Sequence, residues 1–120
     1  MIITKREENV RIYQAPASLS STDTMLLKYT GSLPFRNITA GDVTQSGHEI
    51  LIKSYLAIFY WTRKESLSIA ETLQTEHEIL QYKPEPQGES IAWDLDAKGF
   101  HTLSEKRDTL AQVLYYYERQ

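Results

Sequence analysis

Residues 38–62 read ITAGDVTQSGHEILIKSYLAIFYWT, and this stretch decides the fold. Runs of apolar, β-branched and aromatic residues alternate here with short groups of turn-forming residues, which is typical of antiparallel strands joined by tight turns. The pattern predicts four strands, at Ile38–Thr44, Glu49–Tyr55, Ala57–Thr62 and Glu78–Lys83. Gly47 lies in the first turn, where a residue without a Cβ adopts positive φ and closes a hairpin without strain.

Similar residues recur at a spacing of about 50 along the chain, which is a sequence signature of repeated structural units. Two pairs carry the pattern, Asp42 with Asp94 and Tyr29 with Tyr82. A glycine follows each of these two aspartates five positions later. The chain is therefore predicted to hold ten strands in three groups, which occupy residues 1–35, 36–86 and 87–120 of a single domain.

One insertion interrupts the strands, between residues 62 and 78. Ser68 and Glu71 have the spacing of a helical capping box, in which each side chain bonds the backbone N–H of the other residue. Leu67, Ala70 and Leu73 share one face of a helix that starts there. The sequence therefore predicts a short surface helix.

A sheet with two apolar faces needs a cover on both, and radial stacking of four-stranded sheets supplies it while leaving only short free edges. The small residues Ala40, Gly41 and Ala92 suit a crowded centre, and the aromatic runs at 59–61 and 115–117 suit the layers between sheets. We therefore expect an all-β fold built from antiparallel four-stranded blades of a partial β-propeller, roughly two and a half blades, with one short helical insertion.

Composition argues against several classes of function. The formal net charge of −3 gives no basic surface for a polyanion, so no nucleic-acid partner is expected. The chain has no cysteine, which excludes disulfides and thiolate metal sites. The first residues lack the apolar run of a signal peptide, and no run of about 18 apolar residues occurs, so neither an export signal nor a membrane partner is predicted. The compartment stays open.

Two parts of the chain carry a resemblance to a known group of proteins. The segments are 38–44 with Gly47, 50–55 with Tyr60 and Trp61, and the run PEPQGESIAWD at 84–94 followed by 102–105. They resemble the blades of uncharacterised secreted or periplasmic β-propellers with tryptophan-aspartate-like or phytase-esterase-like blades. The resemblance implies a closed ring of about six blades. This chain supplies fewer than three, so a fragment of a larger propeller or an assembling unit is expected.

Acidic residues near predicted strand ends are candidates for a cation site. Calcium takes six to eight oxygen ligands, and converging loops would gather carboxylates around it. The candidate metal ligands are Asp42, Glu89, Asp94 and Glu105. The alternative, which turn chemistry favours, is that the two aspartates accept hydrogen bonds from their own hairpins, while the glutamates are solvated or bridge blades.

No catalytic residue is predicted. His48 and His77 each open the sequence HEIL, but a zinc protease needs a second histidine four positions later, where Ile52 and Gln81 stand. The chain also lacks the Gly-x-Ser-x-Gly string of a nucleophile elbow and a glycine-rich phosphate loop. Neither a zinc site nor an organic cofactor is expected, which leaves calcium as the one cofactor to consider.

Aromatic side chains offer a further candidate surface. Trp61, Trp93, Tyr115 and Tyr117 would present rings for stacking on a sugar or peptide, or they alternate between two buried blade faces. The sequence thus predicts a noncatalytic structural or binding segment of a β-propeller, whose partners are other blades or further copies of itself. Two alternatives remain open: part of a calcium-dependent propeller hydrolase, and a carbohydrate-binding module.

Overall fold

The computed structural model describes residues 1–18, 21–106, 108–109 and 111–119. These residues form ten strands and one short helix, so the predicted all-β fold with one helical insertion is confirmed. The strands make three antiparallel sheets of three, four and three strands. The chain divides into two compact units, Met1–Ile38 and Thr39–Gln120.

The first unit holds a three-stranded sheet in the order β1-β2-β3. Its strands are β1 at Ile2–Ile3, β2 at Val10–Gln14 and β3 at Lys28–Leu33. Alternation along β2 buries Val10 and Ile12 on one face of the sheet, and Leu33 is buried opposite Val10. Tyr13 and Tyr29 are paired across the other face, with ring centroids 5.8 Å apart in an edge-to-face arrangement.

The second unit begins with a four-stranded sheet in the order β4-β5-β6-β7. Its strands are β4 at Ile38–Val43, β5 at Glu49–Ser54, β6 at Ile58–Thr62 and β7 at Glu78–Leu80. They lie at the four positions that the sequence predicts, and β7 ends three residues earlier than expected. Leu51 and Ile58 point to one face of this sheet, and Ile52 and Trp61 point to the other.

The insertion between β6 and β7 contains helix α1, at Ile69–Thr72. The predicted capping box is present, because the Glu71 N–H donates to Ser68 Oγ and the Ser68 N–H donates to Glu71 Oε2. After the helix, the Thr75 carbonyl accepts a hydrogen bond of 3.2 Å from the Trp61 indole N–H. The insertion therefore packs against the face of the sheet that carries Trp61.

A second sheet of this unit has the order β10-β9-β8. Its strands are β8 at Gly88–Trp93, β9 at Gly99–Ser104 and β10 at Leu114–Glu118. Strands β8 and β9 begin 50 residues after β4 and β5 and have the same six-residue lengths. In each of the two sheets, the first three strands are neighbours in the order in which they follow one another along the chain.

The hairpins β4–β5 and β8–β9 close with the same hydrogen bonds, which fixes how they correspond. The Thr44 N–H donates to the Glu49 carbonyl at 3.0 Å, and the Asp94 N–H donates to the Gly99 carbonyl at the same distance. Asp94 thus stands in the place of Thr44, so the predicted match of Asp94 with Asp42 is wrong by two residues. The expected turn glycine is replaced by Ala97, which adopts positive φ of 52°.

The two sheets of the second unit pack face to face around an apolar core. Leu51 and Ile58 of one sheet are buried against Ile91 and Phe100 of the other. The cluster is completed by partly buried residues, namely Ala40, Tyr60, Leu80, Tyr82, Trp93 and Tyr117. Among the described residues, the single helix is far too short to cross a bilayer.

Candidate functional site

Lys53 lies inside the layer between the two sheets of the second unit. It belongs to β5, where alternation points it to the same face as Leu51, and its side chain is 0% exposed. Its Nζ donates hydrogen bonds to the Gly88 carbonyl at 2.5 Å and to the Ser54 carbonyl at 3.4 Å. Burial lowers the pKa of Lys53, because loss of water disfavours the charged ammonium.

Two carboxylates lie near this buried ammonium and oppose the effect of burial. The charges of Glu85 and Glu89 act to raise the pKa of Lys53. Glu85 is 8% exposed and accepts a short hydrogen bond from the Thr102 hydroxyl through Oε1. Its other oxygen, Oε2, is buried and has no hydrogen-bond partner among the described residues. An unpaired buried oxygen of this kind costs stability.

Two tyrosines complete the polar group. The Tyr55 hydroxyl donates to Glu89, and the Tyr82 hydroxyl donates to the Tyr55 carbonyl at 2.6 Å. The Lys53 ammonium lies 5.0 Å from the centre of the Tyr82 ring, within the range of a cation–π contact. Burial and the nearby Glu85 charge raise the pKa of Tyr82 to about 12. We call Lys53, Tyr55, Tyr82, Glu85, Glu89 and Thr102 the lysine cluster.

Gly88 makes the approach of Lys53 to β8 possible. A Cβ at this position would lie 2.7 Å from Lys53 Nζ and 3.3 Å from the Glu85 Cβ. Both distances are shorter than ordinary van der Waals contact, so a larger residue would displace the ammonium. The lysine cluster therefore needs glycine at the start of β8.

The arrangement is suited to holding two sheets together. A buried lysine with a lowered pKa is a nucleophile in some enzymes. Here the side chain is fully covered, and its ammonium is bonded to a backbone carbonyl of the neighbouring sheet. Its geometry is that of a structural cross-link between β5 and β8.

A cavity of about 230 Å³ lies beside Glu85. It is lined by Lys83, Pro84, Glu85, Pro86, Ser104, Glu105, Ala111, Val113 and Tyr115. Two residues that the sequence marks as candidates, Glu105 and Tyr115, belong to this lining. The cavity is smaller than the range of about 300–1,000 Å³ that is usual for ligand pockets.

The four predicted metal ligands have separate roles in the structure. Asp94 Oδ1 accepts from the Lys98 N–H in its own hairpin at 2.8 Å, as the alternative expectation has it. Asp42 Oδ1 accepts from the adjacent Val43 N–H, whereas Oδ2 accepts from the Trp93 N–H of the neighbouring sheet. Glu89 bonds Tyr55, and the Glu105 N–H donates to the Gln87 carbonyl.

The described carboxylates do not form a group of the size that a cation site needs. Among the described residues, no group of three or more acidic or histidine side chains is placed to hold a metal ion. The structure does not bring Asp42, Glu89, Asp94 and Glu105 together, and calcium binding stays a prediction.

The predicted aromatic surface lies mostly in the interior. Trp61 is 1% exposed, and its indole N–H is bonded within the protein. Tyr117 stacks on Phe100 with ring centroids 5.1 Å apart. The Trp93 indole N–H is buried without a hydrogen-bond partner among the described residues. Tyr115 lines the cavity beside Glu85, and a stacking surface made by these four rings stays a prediction.

Sequence reasoning missed Lys53 and Glu85. A signal for Lys53 was present, because it follows Leu51 by two positions in a strand and therefore shares its buried face. Glu85 stands between two prolines in a segment without periodicity, where no local pattern indicates burial.

The histidines take part in ring contacts and in one contact with a carboxylate. His77 packs against Trp61 with ring centroids 5.1 Å apart, and His101 packs against Tyr116 at 5.0 Å. His48 Nε2 lies 3.8 Å from a Glu65 carboxylate oxygen at the surface. None of the three belongs to a metal-binding group of the described chain.

Comparison with protein-family models, curated proteins and solved structures found no match for this chain. The resemblance to propeller blades therefore stays a prediction from the quoted segments.

Proposed function

We propose that this chain is a noncatalytic structural segment of a β-propeller-like assembly, in which successive antiparallel sheets stack face to face and bind further sheets. The observation that carries the proposal is the correspondence of β8 and β9 with β4 and β5. They share their lengths and hairpin bonds at a spacing of 50 residues, and the two sheets they start pack on one another. Stacking of similar sheets in chain order is how propellers are built.

The joint between the sheets supports this proposal, because it is made by side chains that reach backbone atoms. At the start of β8, the Gly88 carbonyl accepts hydrogen bonds from Lys53 Nζ and from Thr39 Oγ1, the second at 3.2 Å. At the end of β8, the Trp93 N–H donates to Asp42 at 2.8 Å. Both ends of β8 are thus held by the neighbouring sheet, which fixes the relative register of the two sheets.

An ion pair at the edge of the joint also connects the two sheets. Arg119, which directly follows β10, places its guanidinium 2.8 Å from the Glu49 carboxylate of β5. The Glu49 side chain also accepts a hydrogen bond of 2.5 Å from the Tyr60 hydroxyl. Polar contacts therefore surround the apolar core of the joint, an arrangement that resembles a protein–protein interface with a polar rim.

The test is whether the purified chain associates with itself. Sedimentation equilibrium over a wide range of protein concentration should show an average mass that rises above that of the monomer. Electron microscopy of the associated species should show sheets stacked about a common axis. A chain that stays monomeric at the highest concentration reached would contradict the proposal.

A further inference from the structure

We infer that the outer face of the β8–β10 sheet is the surface on which a second copy of this chain docks, through the exposed face of that copy's β1–β3 sheet. The inference rests on the proposed function and names the partner and the two surfaces. We define the outer face by the side chains that point away from the β4–β7 sheet. They are Ser90, Ala92, His101, Leu103, Leu114 and Tyr116.

Strand pairing shows that this face is the counterpart of a face that is buried elsewhere in the same unit. In one sheet Glu49 pairs with Thr62 and Lys53 pairs with Ile58. In the other, Gly99 pairs with Glu118 and Leu103 pairs with Leu114. Since β9 follows β5 by 50 residues, and β10 follows β6 by 56, three pairs of residues correspond: Ile58 with Leu114, Tyr60 with Tyr116, and Leu51 with His101.

The two faces have similar chemistry and different exposure. Ile58 is 0% exposed because the β8–β10 sheet covers it, whereas Leu114 is 64% exposed. Tyr60 is half-buried and packs on Trp93, whereas Tyr116 is 49% exposed. The face that is covered at Ile58 and partly covered at Tyr60 in the β4–β7 sheet is therefore exposed at Leu114 and Tyr116 in the β8–β10 sheet.

Covering this face would be favourable, because it would remove the exposed apolar surface of Leu114 and Tyr116, which lie two positions apart on one strand, from water. Two exposed apolar side chains therefore lie on the same face of β10.

The exposed face of the β1–β3 sheet has the composition of a suitable cover. The cover of Ile58 within the chain is made of aliphatic and aromatic residues, namely Ile91, Trp93, Phe100 and Tyr117. The exposed face of the first sheet presents Ile2 at 48% and Tyr29 at 55% exposure, with Tyr13 between them in the pairing register. An aliphatic and aromatic surface is thus open on each of the two sheets.

Charged side chains also lie at the borders of both surfaces. The outer face has carboxylates at its borders, from Asp94 after β8 and Glu118 at the end of β10. The exposed face of the first sheet carries Arg11, whose side chain is 52% exposed beside its partner Glu7. Opposite charges at the rim of an interface select the orientation in which two surfaces dock.

Because the two surfaces differ, the contact is head-to-tail. Each copy would keep one free surface of each kind after the first contact. Such heterologous contacts produce closed rings or open filaments rather than a dimer that stops at two copies. A ring of this type would be a propeller-like assembly made from several chains.

The experiment uses two variants of the full chain, each with one surface disabled. Leu114→Lys/Tyr116→Lys disables the outer face, and Ile2→Lys/Tyr29→Lys disables the proposed cover. Sedimentation should show self-association weakened about tenfold or more in each, which corresponds to about 1.4 kcal/mol or more. Leu56→Lys is the matched control, because Leu56 is an exposed leucine in the β5–β6 turn, and its association should be that of the wild type.

A mixture of the two variants tests directly whether the two surfaces bind each other. Each retains the surface that the other lacks, so the mixture should form a complex of one copy of each and no larger species. Circular dichroism confirms that each variant is folded, and serine replaces lysine at the same positions if it is not.

Four results would contradict the inference. If the wild type associates and the outer-face variant associates equally well, the inference is wrong while the proposed function stands. If only the outer-face variant is weakened, or if the mixture forms no complex, the proposed occupant is wrong. If the wild type is monomeric, the proposed function itself fails.

Discussion

The Asp42 carboxylate accepts a hydrogen bond of 2.8 Å from the Trp93 N–H, and this bond joins the edge strands of two neighbouring sheets. Asp42 lies in β4 and Trp93 at the end of β8, so the bond spans 51 residues of sequence. Asp94, by contrast, accepts from Lys98 within its own hairpin. Two aspartates that look alike in sequence therefore have different structural roles.

Replacing Asp42 with alanine is expected to lower the free energy of unfolding by about 1–3 kcal/mol, because the Trp93 N–H loses a charged acceptor inside the joint. Asp94→Ala is the matched control. Its partners, the Lys98 N–H and the Tyr116 hydroxyl, lie at the surface, where water replaces the lost carboxylate, so we expect a loss below about 1 kcal/mol. Urea denaturation monitored by tryptophan fluorescence measures both. Equal losses for the two variants would show that the cross-sheet hydrogen bond contributes no more stability than the bond within the hairpin.

Lys53 is expected to make stability rise between neutral and alkaline pH. Burial lowers its pKa in the folded state, so between that value and the ordinary 10.5 the unfolded chain binds more protons than the folded one. The cost of burying the ammonium is full below the folded pKa and disappears as pH approaches 10.5. Lys53→Met removes this contribution.

The measurement is the difference in unfolding free energy between the wild type and Lys53→Met, at pH 7 and again at pH 10. At pH 10 the wild type should have gained free energy of unfolding relative to Lys53→Met. Lys98→Met, at an exposed position, controls for the loss of a positive charge. A difference that is the same at both pH values would exclude a pKa lowered by burial.

Trp93 and Trp61 are expected to respond differently to the same substitution. The buried Trp93 indole N–H has no acceptor among the described residues, so Trp93→Phe removes an unpaired donor along with some apolar area. The two effects oppose each other, and we expect a net change below about 1 kcal/mol. Trp61→Phe breaks the bond to the Thr75 carbonyl and leaves space in the core, so a loss of about 2 kcal/mol or more is expected. Thermal unfolding measures the loss of stability in both variants. A larger loss for Trp93→Phe than for Trp61→Phe would contradict the hydrogen bonding assigned to the two indole N–H groups.

The two corresponding hairpins allow a reciprocal exchange of residues. Ala97 adopts positive φ of 52°, where glycine is free of strain, so Ala97→Gly is expected to raise stability by about 0.5–1 kcal/mol. Gly47 has φ of 74°, and a Cβ there would also lie 3.3 Å from Arg63 Nη2. Gly47→Ala should therefore destabilise by about 1 kcal/mol or more. Melting temperatures that move in the same direction for both variants would contradict the conformations of these turns.

The sequence by itself determined the all-β class, the positions of the strands from Ile38 to Leu80 and the capped helix at Ser68. These features depend on neighbours a few residues away: alternation sets which residues form a strand, and a capping box forms within one helical turn. The spacing of about 50 residues was interpreted as a repeat, and this interpretation stays a prediction; the hairpin contacts align Asp94 with Thr44 and not with Asp42.

Only the tertiary structure decided that Lys53 is buried, that Glu85 lies beside it and that Asp42 bonds the neighbouring sheet. Each of these depends on residues that are at least 32 positions apart in the chain. Local sequence cannot specify such contacts, because the same alternating strand buries a lysine or exposes it according to which sheet covers that face. The left-handed turn at Ala97 is a further case, since the strands on either side hold alanine in a conformation that its own preference disfavours.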